Sequence, residues 1–319
     1  MSPPVTSVRT GIALALVCLV LLGVMPIIAT LRPSVTDALS FAFALSVWQV
    51  AFALPLFGLE LGRGTRGIFE ANLTPGERQR MAAIALLTGA LFGLSTYAYV
   101  LGVEKAGAAN AAIAIQAYPV FAILLESLFL KRRKTALELV LTAGLIGALL
   151  YLGTGGTFRL SGLSLWFLVA LSVPFLWSVA HIIIKEELGR TPVTPVQVTF
   201  FRVTISTVFL LTILGALGTD ALLSGFRAIP QPTSAVMGLV YLLELIVWFY
   251  AVRHIDVSLA SSITTPWPAL TMVLAVVFLG DRIEPYQVFA LIAVVGCIYG
   301  LTLASLRKPG AALPGEPEV

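Results

Sequence analysis

VEKAGAANAAIAIQAYPVFAILLESLFLKRRKTALELVLTAGLIG, residues 103–147, is answered without a gap by VRHIDVSLASSITTPWPALTMVLAVVFLGDRIEPYQVFALIAVVG, residues 252–296. The offset is constant at 149 positions (268 − 119). Val103/Val252, Ala111/Ala260, Pro119/Pro268, Leu125/Leu274, Phe129/Phe278, Leu130/Leu279, Arg133/Arg282 and Gly147/Gly296 are identical across it. In both copies an aromatic–proline pair, Tyr118-Pro119 and Trp267-Pro268, lies deep inside an apolar run. The weight rests on the ungapped register and on which positions match. In a membrane chain, a repeat that carries broken helices points to a transporter with its site between the copies.

The composition sets the solvent. The chain is 58% hydrophobic and 11% charged, with a mean hydropathy of +0.98, whereas soluble domains are about a quarter charged. Ten apolar runs approach the roughly 20 residues needed to cross the hydrocarbon core. They cover Gly11–Leu31, Ala38–Leu59, Met81–Gly102, Ala106–Leu130, Ala136–Gly153, Leu163–Ile184, Thr194–Leu217, Ala235–Val252, Val257–Leu279 and Tyr286–Leu306. The first is read as a helix and not a signal peptide, being long for a signal core and lacking a convincing small-residue cleavage site. The fold class is therefore an all-α integral membrane protein. Residues 1–156 form a first five-helix repeat, 157–308 a second, and 309–319 a disordered tail rich in Pro and Gly.

A net charge of +4 does not signal nucleic acid here, because the basic residues sit in the loops between spans. On one face those loops carry fourteen Lys and Arg, with Arg63, Arg66, Arg78, Arg80 and the run Lys131–Lys134 dominant. On the other they carry five: Arg32, Lys105, Arg159, Arg227 and Arg282. This bias places both termini in the cytoplasm. Five helices per copy is an odd number, so the second copy enters the membrane inverted relative to the first. Cys18 and Cys297 both lie in apolar runs and read as packing residues rather than a disulfide framework.

Proline removes a backbone donor and clashes with the carbonyl four residues earlier. Pro119 and Pro268, with Pro266 adding a second break, are therefore expected to interrupt the fourth and ninth spans. Interrupted backbone at membrane depth is tolerated where it faces protein or a wet cavity. A packing kink relieved by hydroxyls is the competing reading, but matched prolines in both repeats favour a site. Pro26 and Pro174 give a similar, weaker signal in the first and sixth spans.

A charge in mid-membrane costs about 3 kcal/mol or more and is rarely idle. Glu244 is the clearest case, sharing a helical face with Tyr241 and Trp248. It is a candidate to hold a substrate ammonium or to carry a proton, with structural pairing the equal alternative. Arg202, on a face with Thr199 and Ser206, is read as a structural charge paired with Glu244 or backbone carbonyls. His181 is a minor candidate for proton coupling. Tyr97, Tyr99, Tyr118, Trp177, Trp248 and Trp267 lie inside the spans, away from the interfaces where such rings concentrate. With Gln116, Thr264 and Thr265 they form the expected substrate-binding set. Only two histidines, His181 and His254, are present, and no H-E-x-x-H spacing occurs. No metal, cofactor or catalytic residue is expected, and an enzyme acting on lipid is the remote alternative.

The fourth–fifth and ninth–tenth spans resemble the EamA-type drug/metabolite transporter superfamily. Pro119-Val120-Phe121-Ala122 and Phe129-Leu130 carry the likeness in the first copy, and Pro268, Phe278-Leu279-Gly280-Asp281 and Gly296 in the second. The family's usual Phe-Leu-Gly-Glu ends here in Asp281, and Lys131-Arg132 abandons the pattern in the first copy. As a whole the chain is similar to the superfamily's bacterial aromatic amino-acid exporters. The resemblance implies ten helices in two inverted halves, a central cavity, and export of small metabolites across the inner membrane by alternating access. Partners would be the substrate and the bilayer, with a monomer as the working state. A multidrug or lipid exporter of the same fold is the alternative.

Overall fold

The computed structural model describes residues 8–64, 69, 74–129, 135–188, 194–255, 260 and 263–306. Lys131–Lys134, Arg66, Arg190, Ser261, Ser262 and the tail from Arg307 onward lie outside the described residues, as do the side chains of Glu126, Lys185 and Arg253. The described chain is helical with no strand. α1 spans Val8–Thr30, α2 Ala38–Gly62, α3 Pro75–Ala106, α4 Ala108–Ile115, α5 Tyr118–Phe129 and α6 Ala136–Gly153. α7 spans Leu165–Leu188, α8 Pro195–Leu217, α9 Thr219–Ala228 and α10 Pro232–His254. α11 covers Trp267–Leu274 and runs into a π-helical turn at Ala275–Leu279, and α12 covers Pro285–Leu306.

Every expected span has a helical counterpart. Seven are long and apolar enough to cross a membrane alone, and α9 with α10 makes an eighth, bent by 73°. Leu165–His181 of α7 and Trp267–Leu279 are shorter apolar helices. Helix ends follow local chemistry. Asp37 accepts from the N–H of Leu39 and Ser40 to start α2, and Thr74 with Glu77 closes a capping box on α3. Pro75, Pro195 and Pro232 occupy first-turn positions, where a missing donor costs nothing. Glu138 caps α6 with Thr135, and Gln287, its counterpart 149 residues on, accepts from the Glu284 N–H at the start of α12. The repeat thus extends to how its last helix begins.

Two elements depart from the expected spans. The loop between the seventh and eighth spans contains α9, an amphipathic helix that packs on α2 and α8. Short surface helices escape a search for long apolar runs. The C-terminal end of the ninth span is π-helical, and Gly280 (φ 69°) closes it.

Packing follows the duplication. α1 packs on α10 and α11, while α7, in the equivalent place of the second copy, packs on α3 and on α4 and α5. α6 and α12 pack against each other. Glycines set the closest approaches: a Cβ on Gly89 would lie 2.5 Å from Ile205, and one on Gly93 2.9 Å from Phe209, so α3 and α8 nearly touch. Gly89-x-x-x-Gly93 is therefore a helix contact, as its spacing suggests. Gly147 and Gly296 have no neighbour within 4 Å of such a Cβ, and nothing in the structure explains their identity.

Candidate functional site

The two proline-bearing spans break at the same place. Helix stops after Ile115 and resumes at Tyr118, with Gln116 and Ala117 between. In the second copy the turn falls on Thr265 and Pro266 and helix resumes at Trp267. Pro119 and Pro268 are the second residues of the resumed helices, so they start a half-helix where no donor is needed. The interruption lies two or three residues ahead of each proline, not at it. Pro26 and Pro174 sit inside uninterrupted helices. Thr30 donates to the Pro26 carbonyl at 2.9 Å, and Thr271 of α11 donates to the Gly23 carbonyl at 2.8 Å, tying α1 to the ninth span.

Carbonyls loosened by the breaks take side-chain donors. The Gln116 amide donates to the Thr265 carbonyl across the seam, and Ser178 of α7 donates to the Tyr118 carbonyl at 3.4 Å. Gln116, Thr264 and Thr265 are buried together. From here a band of polar and aromatic groups crosses the bundle. The Tyr118 ring meets His181 at 5.8 Å, and His181 meets Phe92 at 5.4 Å. The Arg202 guanidinium lies 3.6 Å over the Phe92 ring and 5.9 Å from the Tyr241 ring. The Tyr241 hydroxyl is bonded to Arg202 and to Thr96. Trp177 donates to Ser95 at 3.0 Å on the same side of α3.

Glu244, one turn beyond Tyr241, accepts from the Cys18 thiol of α1 at 3.4 Å. It is within electrostatic range of Arg202, Tyr99 and Tyr241. Its neighbours stand on α1, α3, α8 and α10, so its accessible surface opens on the interior of the bundle. Tyr118, Trp177 and His181 are likewise only partly buried at mid-span. The expected pairing of Arg202 is with Glu244 or backbone carbonyls, and Glu244 is within its electrostatic range. Among the described residues no carboxylate lies within 4.0 Å of its guanidinium, and its partners are a ring face and a phenol.

Of the expected site residues, Tyr99, Tyr118, Trp177, His181, Arg202 and Glu244 fall on this band, and Gln116, Thr264, Thr265 and Trp267 at the break beside it. Trp248 is elsewhere, in a small cluster with Ala15, Ala251, Ile255 and Ala260. It lies one turn past Glu244. Tyr97 packs partly buried against the main core. Phe92, Thr96, Ser95 and Cys18 were not singled out as site residues. Their only sequence signal is polarity or an aromatic ring within an apolar run, which dozens of positions share.

Comparison with known proteins agrees with this architecture. The pattern of the EamA-like transporter family matches residues 9–154 and again 164–303. The chain is 28% identical over 296 residues, 84% of its length and 94% of the relative's, to the "Probable terminal-alkyne amino-acid exporter" of Streptantibioticus cattleyicolor. It is 30% identical over 128 residues, 40% of its length and 42% of the relative's, to the "Pseudopaline exporter CntI" of Pseudomonas aeruginosa. A solved crystal structure of a protein 16% identical aligns over 94% of this chain and 98% of that one with a TM-score of 0.54, which bears on the fold alone. Long apolar helices, a duplicated pair of broken helices and a family pattern that matches twice agree: this chain is a multi-pass membrane protein of the EamA-like transporter family.

Proposed function

We propose that this protein exports small metabolites, foremost amino acids with aromatic or other apolar side chains, across the bacterial inner membrane, with both termini in the cytoplasm. The observation that carries the reading is the polar band beside two symmetry-related helix breaks. Substrate would bind there, at the interface of the repeats, where transporters built from such repeats hold their ligands. Tyr118, Trp177 and Trp267 would cover an apolar side chain. Gln116, Thr264, Thr265 and Glu244 would hold polar ends, with Glu244 on an ammonium. The halves would rock about the seam, and Pro26 and Pro174 would let α1 and α7 flex. Apolar contact stabilises by about 25 cal/mol per Å² buried, so a small amino acid binds weakly, which suits release on the far side. Glu244, with His181 as a lesser candidate, would carry a proton if transport is coupled. The relatives' names supply the substrate class: one is an amino-acid exporter, the other a pseudopaline exporter.

The test is uptake of labelled amino acids into proteoliposomes, with and without a pH gradient, for wild type and Glu244→Gln. Amino-acid uptake is expected in the wild type. Transport of lipophilic cations with no amino acid moved would sink the reading and favour a multidrug exporter.

A further inference from the structure

We propose that Arg202 anchors the substrate's carboxylate, so that Arg202 and Glu244 together form a recognition pair for a zwitterion. This rests on the amino-acid reading above and extends it to both charged ends of the substrate.

Arg202 is 8% exposed and lies in the interior of a helix crossing the hydrocarbon. A buried charge without a counter-charge is costly, and an internal ion pair is the usual remedy. Here an acid is within electrostatic range, yet among the described residues no ion pair closes. The two charges are held by other groups instead. Glu244 is engaged by the Cys18 thiol at 3.4 Å. Arg202 lies over the Phe92 ring at 3.6 Å and is bonded to Tyr241. A cation seated on a ring presents its π face there, while the guanidinium N–H donors lie in its plane as a fork. That fork matches a carboxylate in bidentate fashion.

A second observation points into the same space. Tyr99 is 3% exposed, and its buried hydroxyl has no hydrogen-bond partner among the described residues. It lies within electrostatic range of Tyr241 and Glu244. An unmet buried hydroxyl beside Glu244 and Tyr241 is what a polar ligand would satisfy. The arrangement also disfavours the competing substrate class. A lipophilic cation gains from Glu244 but is repelled by Arg202, and it offers that buried cation no counter-charge.

The experiment is competition against labelled phenylalanine uptake in proteoliposomes, using phenylalaninamide, which lacks the carboxylate, and 3-phenylpropanoate, which lacks the ammonium. Wild type is expected to prefer phenylalanine over phenylalaninamide by about tenfold to a hundredfold, the worth of charge-assisted hydrogen bonds. Arg202→Gln should bring that preference to within about threefold, while Glu244→Gln keeps it and instead loses the preference over 3-phenylpropanoate. Arg202→Lys, which retains charge without the fork, should be intermediate. Unchanged discrimination in a transporting Arg202→Gln would overturn the proposal. So would equal competition by the amide in the wild type, which needs no variant to fold. If wild type moves no phenylalanine, the amino-acid reading fails by itself. Thermal stabilisation of the purified wild type then decides for Arg202: by 3-phenylpropanoate but not phenethylamine it upholds the anchor, and otherwise it overturns it.

Discussion

Gln116 and Thr265, which hold the same position in the two repeats, are joined by a hydrogen bond from the Gln116 amide to the Thr265 carbonyl. The duplication therefore places the two breaks against each other at the seam. An interrupted helix leaves carbonyls that hydrocarbon cannot satisfy, and here one copy supplies the donor for the other.

Gln116→Leu removes that donor from the Thr265 carbonyl. A loss of about 1–3 kcal/mol is expected, read as a lower midpoint in thermal unfolding of the detergent-solubilised protein. A midpoint equal to wild type would show that another donor takes over.

Trp267→Ala and Tyr118→Ala should each weaken transport while membrane insertion stays normal. Both flank the breaks, and Tyr118 also holds His181 by ring contact. Uptake kinetics, with protein amount normalised by immunoblot, give the answer. Unaltered apparent affinity in both variants would move the site away from the breaks. Trp248→Ala is the control, since Trp248 packs in the cluster near Ile255.

Gly238 and Gly147 should respond oppositely to alanine. A Cβ on Gly238 would lie 2.7 Å from the Leu45 carbonyl oxygen and from the Trp48 Cβ, whereas one on Gly147 meets nothing within 4 Å. Gly238→Ala overpacks α10 against α2 and should cost about 1–3 kcal/mol. Gly147→Ala gains helix propensity of up to about 1 kcal/mol. Thermal midpoints of the two variants, measured side by side, check the pair.

Asp37 gives stability an acid limit. Burial alone would raise its carboxyl, but bonds from the Ser40 hydroxyl and N–H, the Leu39 N–H and the Ser224 hydroxyl outweigh it and hold it below its ordinary 3.8. Its folded value is depressed, so its contribution is fully present above 3.8 and disappears as pH falls through the lower folded value. Asp37→Asn keeps a capping side chain but loses the charge-assisted part of its bonds, so it should lower stability at neutral pH by about 1 kcal/mol and flatten the loss on acidification. Parallel melting curves of wild type and Asp37→Asn at acid pH would contradict this.

Arg32, at the end of α1, pairs with Glu104 near the end of α3 and also donates to the Ala29 carbonyl at 2.7 Å and the Thr36 carbonyl at 3.1 Å. The pair straps two helices of the first repeat at one end of the bundle. A double-mutant cycle with Arg32→Gln and Glu104→Gln should give a coupling of about 1 kcal/mol. Additive effects would show that the strap does not bind.

The sequence by itself determined the solvent, the helices and the duplication, because membrane depth demands long apolar helices and a proline is visible wherever it falls. The offset of 149 also located both breaks to within three residues: the turns fall ahead of Pro119, at Gln116–Ala117, and on Pro266, at Thr265–Pro266. Tertiary structure alone decided which polar groups meet. Arg202 and Glu244 read as partners because a buried charge wants one, but Arg202 settles on the Phe92 ring and the Tyr241 hydroxyl while Glu244 takes the Cys18 thiol. Trp248 shared a helical face with Glu244 and still joined a different cluster, with Ala15, Ala251, Ile255 and Ala260. Periodicity gives the face a residue is on; only packing gives what that face meets.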